Sequence, residues 1–313
     1  MANLYLTHKC NRGCPFCFAR KALKEAGSYD EIMTLDEIDR FIRKYRKELP
    51  IIGLLGGEPF LYPHLPEAVK LIRGYGIPVK IFTSATNPLP EGFEEVAIND
   101  PGVNFVVNVG EASSYNERQA KCLEEFMQKF HAVSALSYTI FDLNTDPSYL
   151  FDLINRYGLL REIRTGIALP IYKGGNSFIA LKDYKAAGRY FIECARKAAA
   201  HRIAMSMDCG FIACMFDDAQ IGELLKLGSR VGFMCGAATD VGPGLMGWNC
   251  FPLFQLGKIN VMEADSMKDL CRKFDEKLAE HMDASRGVLP ECESCEKLAD
   301  GLCQGGCRSF KSF

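Results

Sequence analysis

The sequence predicts an α/β protein: a partial (β/α)6 TIM-like barrel followed by a small cysteine-rich domain. Three observations carry that prediction. Six short apolar runs alternate with amphipathic helical runs as far as residue 202. Beyond it the alternation gives way to a stretch rich in Gly, Cys and Met. Fourteen cysteines occur in 313 residues, most of them in two groups. Alternating strands and helices argue for a parallel sheet with helices outside it. Six units fall short of the eight that close a barrel.

The strand-like runs are 3–7, 51–55, 79–83, 103–109, 135–141 and 163–169. Between the first two, Thr34 and Glu37 form a capping box. Ile38, Phe41, Ile42 and Tyr45 then follow a helical period. The further helical runs are 65–75, 116–130, 148–157 and 181–202. Residues 207–256 show little helical period, 266–281 read as a helix, and 290–313 form a short loop-like tail. The expected domains are therefore 1–202 and 203–313.

The charge balance excludes several functions. A net charge of -2 and a pI of about 6.3 advertise no field for nucleic acid or anionic lipid. No run of 18 apolar residues exists to span a membrane. MANLYLTHKC lacks a signal-peptide layout, so a cytoplasmic location is expected. The cysteine share is well short of the roughly 8–10% of disulfide scaffolds. A reducing compartment favours metal-binding or catalytic thiolates instead.

The first cysteine group is CNRGCPFCF, with Cys10, Cys14 and Cys17 in C-x3-C-x2-C just after the first strand. Three thiolates on one short loop can converge on an inorganic centre, and soft thiolates select zinc or iron–sulfur. A closed site usually takes four protein ligands, so three leave one iron open to a small molecule. A zinc site completed by His8 is the alternative. The second signal is Gly56-Gly57-Glu58-Pro59, directly after the second strand. A glycine pair lets the backbone approach a ligand closely, and both signals sit at strand ends, where parallel α/β folds bind ligands.

In these two motifs, with Phe16 before the last cysteine, residues 1–200 resemble the radical S-adenosylmethionine (SAM) superfamily. The resemblance implies that Cys10, Cys14 and Cys17 hold a [4Fe–4S] cluster and that SAM chelates its open iron. It implies that Gly56, Gly57, Glu58 and Pro59 bind the SAM amino group. Reductive cleavage would then give a 5′-deoxyadenosyl radical that abstracts hydrogen from substrate. Ser84, Asn108 and Arg164, at or near strand ends, are further SAM-contact candidates, Arg164 through charge-assisted bonds.

Eight further cysteines lie at Cys209, Cys214, Cys235, Cys250, Cys292, Cys295, Cys303 and Cys307, the ligand count of two four-cysteine clusters. Their layout resembles the SPASM/twitch extension of radical SAM enzymes, which houses auxiliary [4Fe–4S] clusters. The tail spacing C-x2-C-x7-C-x3-C is two residues longer in the middle than that family's usual pattern, and no later cysteine follows. The resemblance implies interleaved ligands. One cluster would take Cys235, Cys250, Cys307 and either Cys209 or Cys214; the other would take Cys292, Cys295, Cys303 and the remaining thiolate or an open site. One auxiliary cluster with spare thiols, or a zinc ribbon, are the alternatives.

Cys122, Cys194 and Cys271 sit singly in helical patterns and read as core. His64, His131, His201 and His281 are isolated and receive no role. Lys182, Asp183 and Lys185 read as a solvated helix face, and Trp248 as packing beside a cluster. Asp142, Asn144, Tyr172, Lys173 and Asp208 are substrate-side candidates.

The expected function is that of a radical SAM oxidoreductase modifying a peptide or protein by crosslinking, oxidation or epimerisation. Auxiliary clusters would take up an electron or bind substrate. The expected partners are a flavodoxin- or ferredoxin-type reductant and a separate leader-peptide recognition protein, since the first strand starts at Asn3. One alternative is a twitch-type oxidoreductase or cyclase acting on a small alcohol, amino sugar or nucleotide. Another is a non-catalytic iron–sulfur electron carrier, against which Gly56-Gly57-Glu58-Pro59 argues.

Overall fold

The computed structural model describes residues 1–19, 31–172, 174–236, 239–282 and 285–311. Its strands are β1 (Ala2–Tyr5), β2 (Ile52–Leu55), β3 (Val79–Thr83), β4 (Val103–Asn108), β5 (Ser134–Ile140), β6 (Glu162–Ile167), β7 (Ala204–Met207), β8 (Thr239–Val241), β9 (Met246–Trp248) and β10 (Ile259–Asn260). Its described α-helices are α1 (Leu35–Tyr45), α2 (Leu65–Gly74), α3 (Phe93–Ala97), α4 (Glu117–Phe130), α5 (Ser148–Tyr157), α6 (Tyr184–Ala200), α7 (Asp218–Lys226), α8 (Met267–Ala279) and α9 (Glu296–Ala299).

The chain forms two compact units that interleave in sequence. The first comprises 1–13, 18–134 and 237–281; the second comprises 14–17, 135–236 and 282–313. In the first, the strand order is β10-β9-β8-β1-β2-β3-β4. β1 pairs in parallel with both β2 and β8, and β2, β3 and β4 continue in parallel. In the second, β5, β6 and β7 pair in parallel. The α/β class with a parallel sheet is thus the one observed.

Local chemistry explains the elements. Thr34 and Glu37 make the expected capping box, worth about 1 kcal/mol. Behind it, α1 buries Ile38, Phe41, Ile42 and Tyr45. β3 alternates buried and half-buried residues. Phe60, Phe93, Phe105, Phe126 and Phe130 form an aromatic core with centroids 5.0–6.2 Å apart. In the second unit, α6 buries Phe191 against Phe211 at 4.8 Å. A Cβ on Gly188 of α6 would stand 2.6 Å from the Met215 carbonyl. Only glycine lets that helix meet the 3-10 turn Ala213–Met215, which carries Cys214.

Several elements depart from expectation. β7 extends the parallel strands past residue 202, and the 207–256 stretch contains α7, capped by Asp217 with Gln220. The run expected at 181–202 is a 3-10 turn at Leu181–Asp183 followed by α6. Cys194 is buried as expected and Cys122 is half-buried, but Cys271 is exposed. The reason is register: α8 buries Leu270, Phe274 and Leu278, and Cys271 falls one step off that stripe. Lys173 lies outside the described residues. No described helix is long and apolar enough to cross a membrane.

Candidate functional site

The turn after β2 is laid directly on the loop after β1. The Gly57 N–H donates to the Thr7 carbonyl and the Glu58 N–H to the Lys9 carbonyl, both at 2.8 Å. A Cβ on Gly56 would meet Thr7 O at 2.4 Å, and one on Gly57 would meet Lys9 O at 2.3 Å. The glycines are therefore required by the neighbouring backbone itself.

Glu58 is fully buried behind this turn and caps the 3-10 turn Pro59–Leu61. Its carboxylate accepts from the Phe60 N–H, the Thr83 hydroxyl, and the Ser84 N–H and hydroxyl. Burial outweighs these four donors and pushes the carboxyl above its ordinary value. Ser84, expected to contact SAM, is thus committed to Glu58. Its hydroxyl also lies 2.8 Å from that of Thr86, whose hydroxyl donates to Asn11 Oδ1 at 3.3 Å. Thr83, Thr86 and Asn11 escaped sequence reasoning; the hydroxyl-rich run after β3 was the available signal.

The first-unit part of the cysteine loop is anchored further by Arg12. Its guanidinium donates to the Ser114 carbonyl at 2.8 Å and lies 4.3 Å over the Tyr115 ring. The Arg12 N–H points at Cys10 Sγ, 3.4 Å away. In the second unit, the Ser177 N–H holds the Pro15 carbonyl at 2.9 Å, and Phe16 packs on Phe141 at 5.0 Å. His8 is buried and packs against Tyr5 at 5.4 Å.

The remaining predicted residues scatter. Asn108 is exposed at the end of β4. Arg164 pairs with Asp208 at 2.7 Å. Asp142 closes its own loop, accepting from the N–H groups of Asn144 and Thr145 at 2.8 and 2.9 Å. Tyr172 is half-buried, while Lys182, Asp183 and Lys185 are at least partly exposed. Trp248 is buried in an aromatic group with Tyr5, Phe251 and Phe254.

Of the later cysteines, Cys250 belongs to the first unit and the other seven to the second. There Cys209 lies within electrostatic range of Cys235 and Cys307, and Cys214 within range of Cys292 and Cys303. Burial and neighbouring thiols push Cys209, Cys214 and Cys307 upward. Cys209 and Cys214 are both exposed. Among the described residues no three Cys, His, Asp or Glu side chains close around a single ion. The Tyr184 hydroxyl, buried and without a hydrogen-bond partner among the described residues, lies within range of both Cys307 and Cys214.

Residues 4–128 match the family model "Radical SAM superfamily". The chain is 39% identical over 79 residues, 24% of its length, to a 7,8-dihydro-6-hydroxymethylpterin dimethyltransferase of Methanocaldococcus jannaschii, covering 15% of that protein. Across the curated relatives reported by sequence, it spans between 15% and 60% of their lengths. Among solved structures, Streptococcus suis SuiB bound to its precursor peptide SuiA matches with a TM-score of 0.70 at 15% identity, over 98% of this chain and 71% of that one. Native anSMEcpe with bound AdoMet matches with a TM-score of 0.67 at 17% identity, over 98% of this chain and 89% of that one. These likenesses show the fold: a mixed α/β architecture of the radical SAM, TIM-like kind. Over residues 4–128 the chain is thus similar to the radical SAM superfamily.

Proposed function

We propose that this chain is a radical SAM oxidoreductase acting on a peptide or protein, with auxiliary iron–sulfur clusters held by cysteines of the region 203–313. The observation that carries the core of this reading is the backbone clasp between the two motifs. The Gly57 and Glu58 N–H groups tie the turn after β2 to the segment leading into Cys10. Cys10, on a segment clasped to a glycine turn backed by a buried carboxylate and followed in sequence by Cys14 and Cys17, suits a three-thiolate cluster with one iron open to SAM.

In this reading Cys10, Cys14 and Cys17 hold the cluster, and Gly56, Gly57, Glu58 and Pro59 present backbone to the SAM amino group. When bound, these cofactors supply one-electron cleavage of a carbon–sulfur bond and hydrogen abstraction from substrate. The chain's own work is placement. Glu58, gripped by Thr83 and Ser84, holds the turn; Asn11 and Arg12 hold the loop; Phe16 walls it on Phe141. Asn108 is assigned to the SAM ribose, and Arg164, oriented by Asp208, to its carboxylate. An external flavodoxin- or ferredoxin-type protein supplies the electron in the cytoplasm, where thiolates stay reduced.

The peptide class is supported by the fold likeness to SuiB, whose structure contains its precursor peptide. A second reading, a small-molecule substrate, is favoured by the sequence likeness to the pterin dimethyltransferase. The test is anaerobic reconstitution with iron and sulfide, then reduction with dithionite in the presence of SAM. Slow release of 5′-deoxyadenosine is expected without substrate, quickened by peptides under the first reading and by pterins or nucleotides under the second. Undiminished release after Cys10→Ala, Cys14→Ala and Cys17→Ala together would overturn the core assignment.

A further inference from the structure

We propose that the second unit carries a binding site for a small phosphate monoester, in the pocket where the C-terminal ends of α6 and α7 meet the start of β7. The site uses none of the cysteines and neither of the motifs at 10–17 and 56–59. It stands whatever reaction the chain performs.

The pocket has a volume of about 380 Å³, at the small end of ligand-sized cavities. Ala199, Ile203 and Leu227 give it an apolar floor, while Arg161, Arg202 and Lys226 bring three cations to it. Among the described residues that line it, none is acidic. This concentration of charge is local, for the whole chain carries a net charge of -2.

The three cations differ from their neighbours in the chain. Arg196, Lys197 and Arg230 pair with Glu223, Asp146 and Glu162. Arg161, Arg202 and Lys226 pair with no carboxylate among the described residues. Two helix C-termini do not use up this charge. Each carries about half a negative charge, so together they offset about one cation. Arg161 fills that role: its guanidinium donates to the His201 carbonyl, just past α6, at 2.9 Å and to Asn155 Oδ1 at 3.0 Å. About two positive charges remain, which matches the roughly two negative charges of a phosphate monoester near neutral pH.

The backbone at Arg202 points the same way. This residue closes α6 in the left-handed conformation, with φ at 58°. Its N–H donates to the Ala199 carbonyl at 2.8 Å and the Ile203 N–H to the Ala198 carbonyl at 3.0 Å. α5 and α7 are closed in the same way by glycines, Gly158 at 69° and Gly228 at 82°. Glycine takes this conformation without steric cost and arginine does not. What arginine adds in exchange for the strain is a guanidinium at the pocket.

These groups suit phosphate chemically. A guanidinium grips phosphate oxygens through parallel N–H bonds, and an ammonium adds a point charge. Arg161 is already held by Asn155, so less ordering is needed on binding. The apolar floor favours a monoester, whose carbon body can rest on Ile203 and Leu227, over the free ion.

The experiment titrates phenyl phosphate and, separately, inorganic phosphate into the full chain in chloride buffer, read by calorimetry and thermal melts. Saturable binding of one phenyl phosphate per chain is expected, about threefold to tenfold tighter than inorganic phosphate. Arg202→Gly and Lys226→Gln should each weaken it about tenfold, since each removes one charge-assisted contact. Arg202→Gly also relieves the left-handed strain, so the variant should melt no lower than the parent and its weaker binding cannot come from misfolding. Phenyl phosphate should raise the melting temperature of the parent more than that of Arg202→Gly. Absence of saturable binding, or affinity that both variants leave unchanged, would overturn the site. Equal affinity for phenyl phosphate and inorganic phosphate would overturn the choice of a monoester.

Discussion

The two units hold their functional side chains by different means. In the first, the turn at 56–59 is fixed by backbone hydrogen bonds and by a buried carboxylate with four donors. Helices of ten to fourteen residues and an aromatic core stand behind it. In the second unit, seven thiols sit on short turns, and the tail's α9 is four residues long with no buried side chain. Main-chain geometry can hold the first site with or without ligands. If the proposed auxiliary clusters are present, the second depends on what its thiolates bind, as in other small metal-organised segments.

The largest expected effect breaks the comparison most directly. Removing Cys10, Cys14 and Cys17 together should release about four irons and abolish SAM cleavage, while leaving the first unit folded by circular dichroism. Next, stripping metal with a chelator should make residues 285–311 sensitive to protease and leave 31–134 resistant. Equal resistance in both regions would contradict the contrast drawn above.

A third test goes to the clasp itself. Gly57→Ala places a methyl against the Lys9 carbonyl and should cost about 1–3 kcal/mol by denaturant unfolding. It should also weaken SAM binding measured by calorimetry, because the loop must shift. Glu58→Gln leaves an amide where four donors converge and should cost a similar or smaller amount, about 1–3 kcal/mol.

The smallest effect is a pH dependence. Asp240 is buried on β8, accepts from Asn3 at 2.8 Å, and is pushed up to about 7 by burial. The folded state therefore holds a proton that the unfolded state has released between the ordinary carboxylate value and about 7. Stability should fall as pH rises through that window, by at most about 1.4 kcal/mol per unit. Asp240→Asn should flatten this slope, and an unchanged slope in thermal melts would remove Asp240 as its source.

Much of the first unit was legible in the sequence because local signals agreed there. Thr34 and Glu37 announced α1, Asn116 announced α4, and the first four apolar runs became β1–β4. Cys10, Cys14 and Cys17, and the turn at 56–59, stand out in the sequence by their spacing alone. What the glycines at 56 and 57 contact could not be read, since Thr7 and Lys9 reach them only through strand pairing. α7 was hidden although Asp217 and Gln220 form a capping box, because Gly222 interrupts it and it buries only Leu224. Tyr184 reads as an ordinary helical residue until its unpartnered hydroxyl is seen.

β1 has one further consequence. It leaves the ribosome long before β8, yet one of its two edges pairs with β2 and the other with β8, at Thr239–Val241. Half of its hydrogen-bonding capacity therefore stays open through the synthesis of everything between them, an apolar edge of the kind that recruits other chains. Protection of β1 must wait for residue 241, so slowed translation between residues 55 and 241 should raise aggregation more than slowing elsewhere.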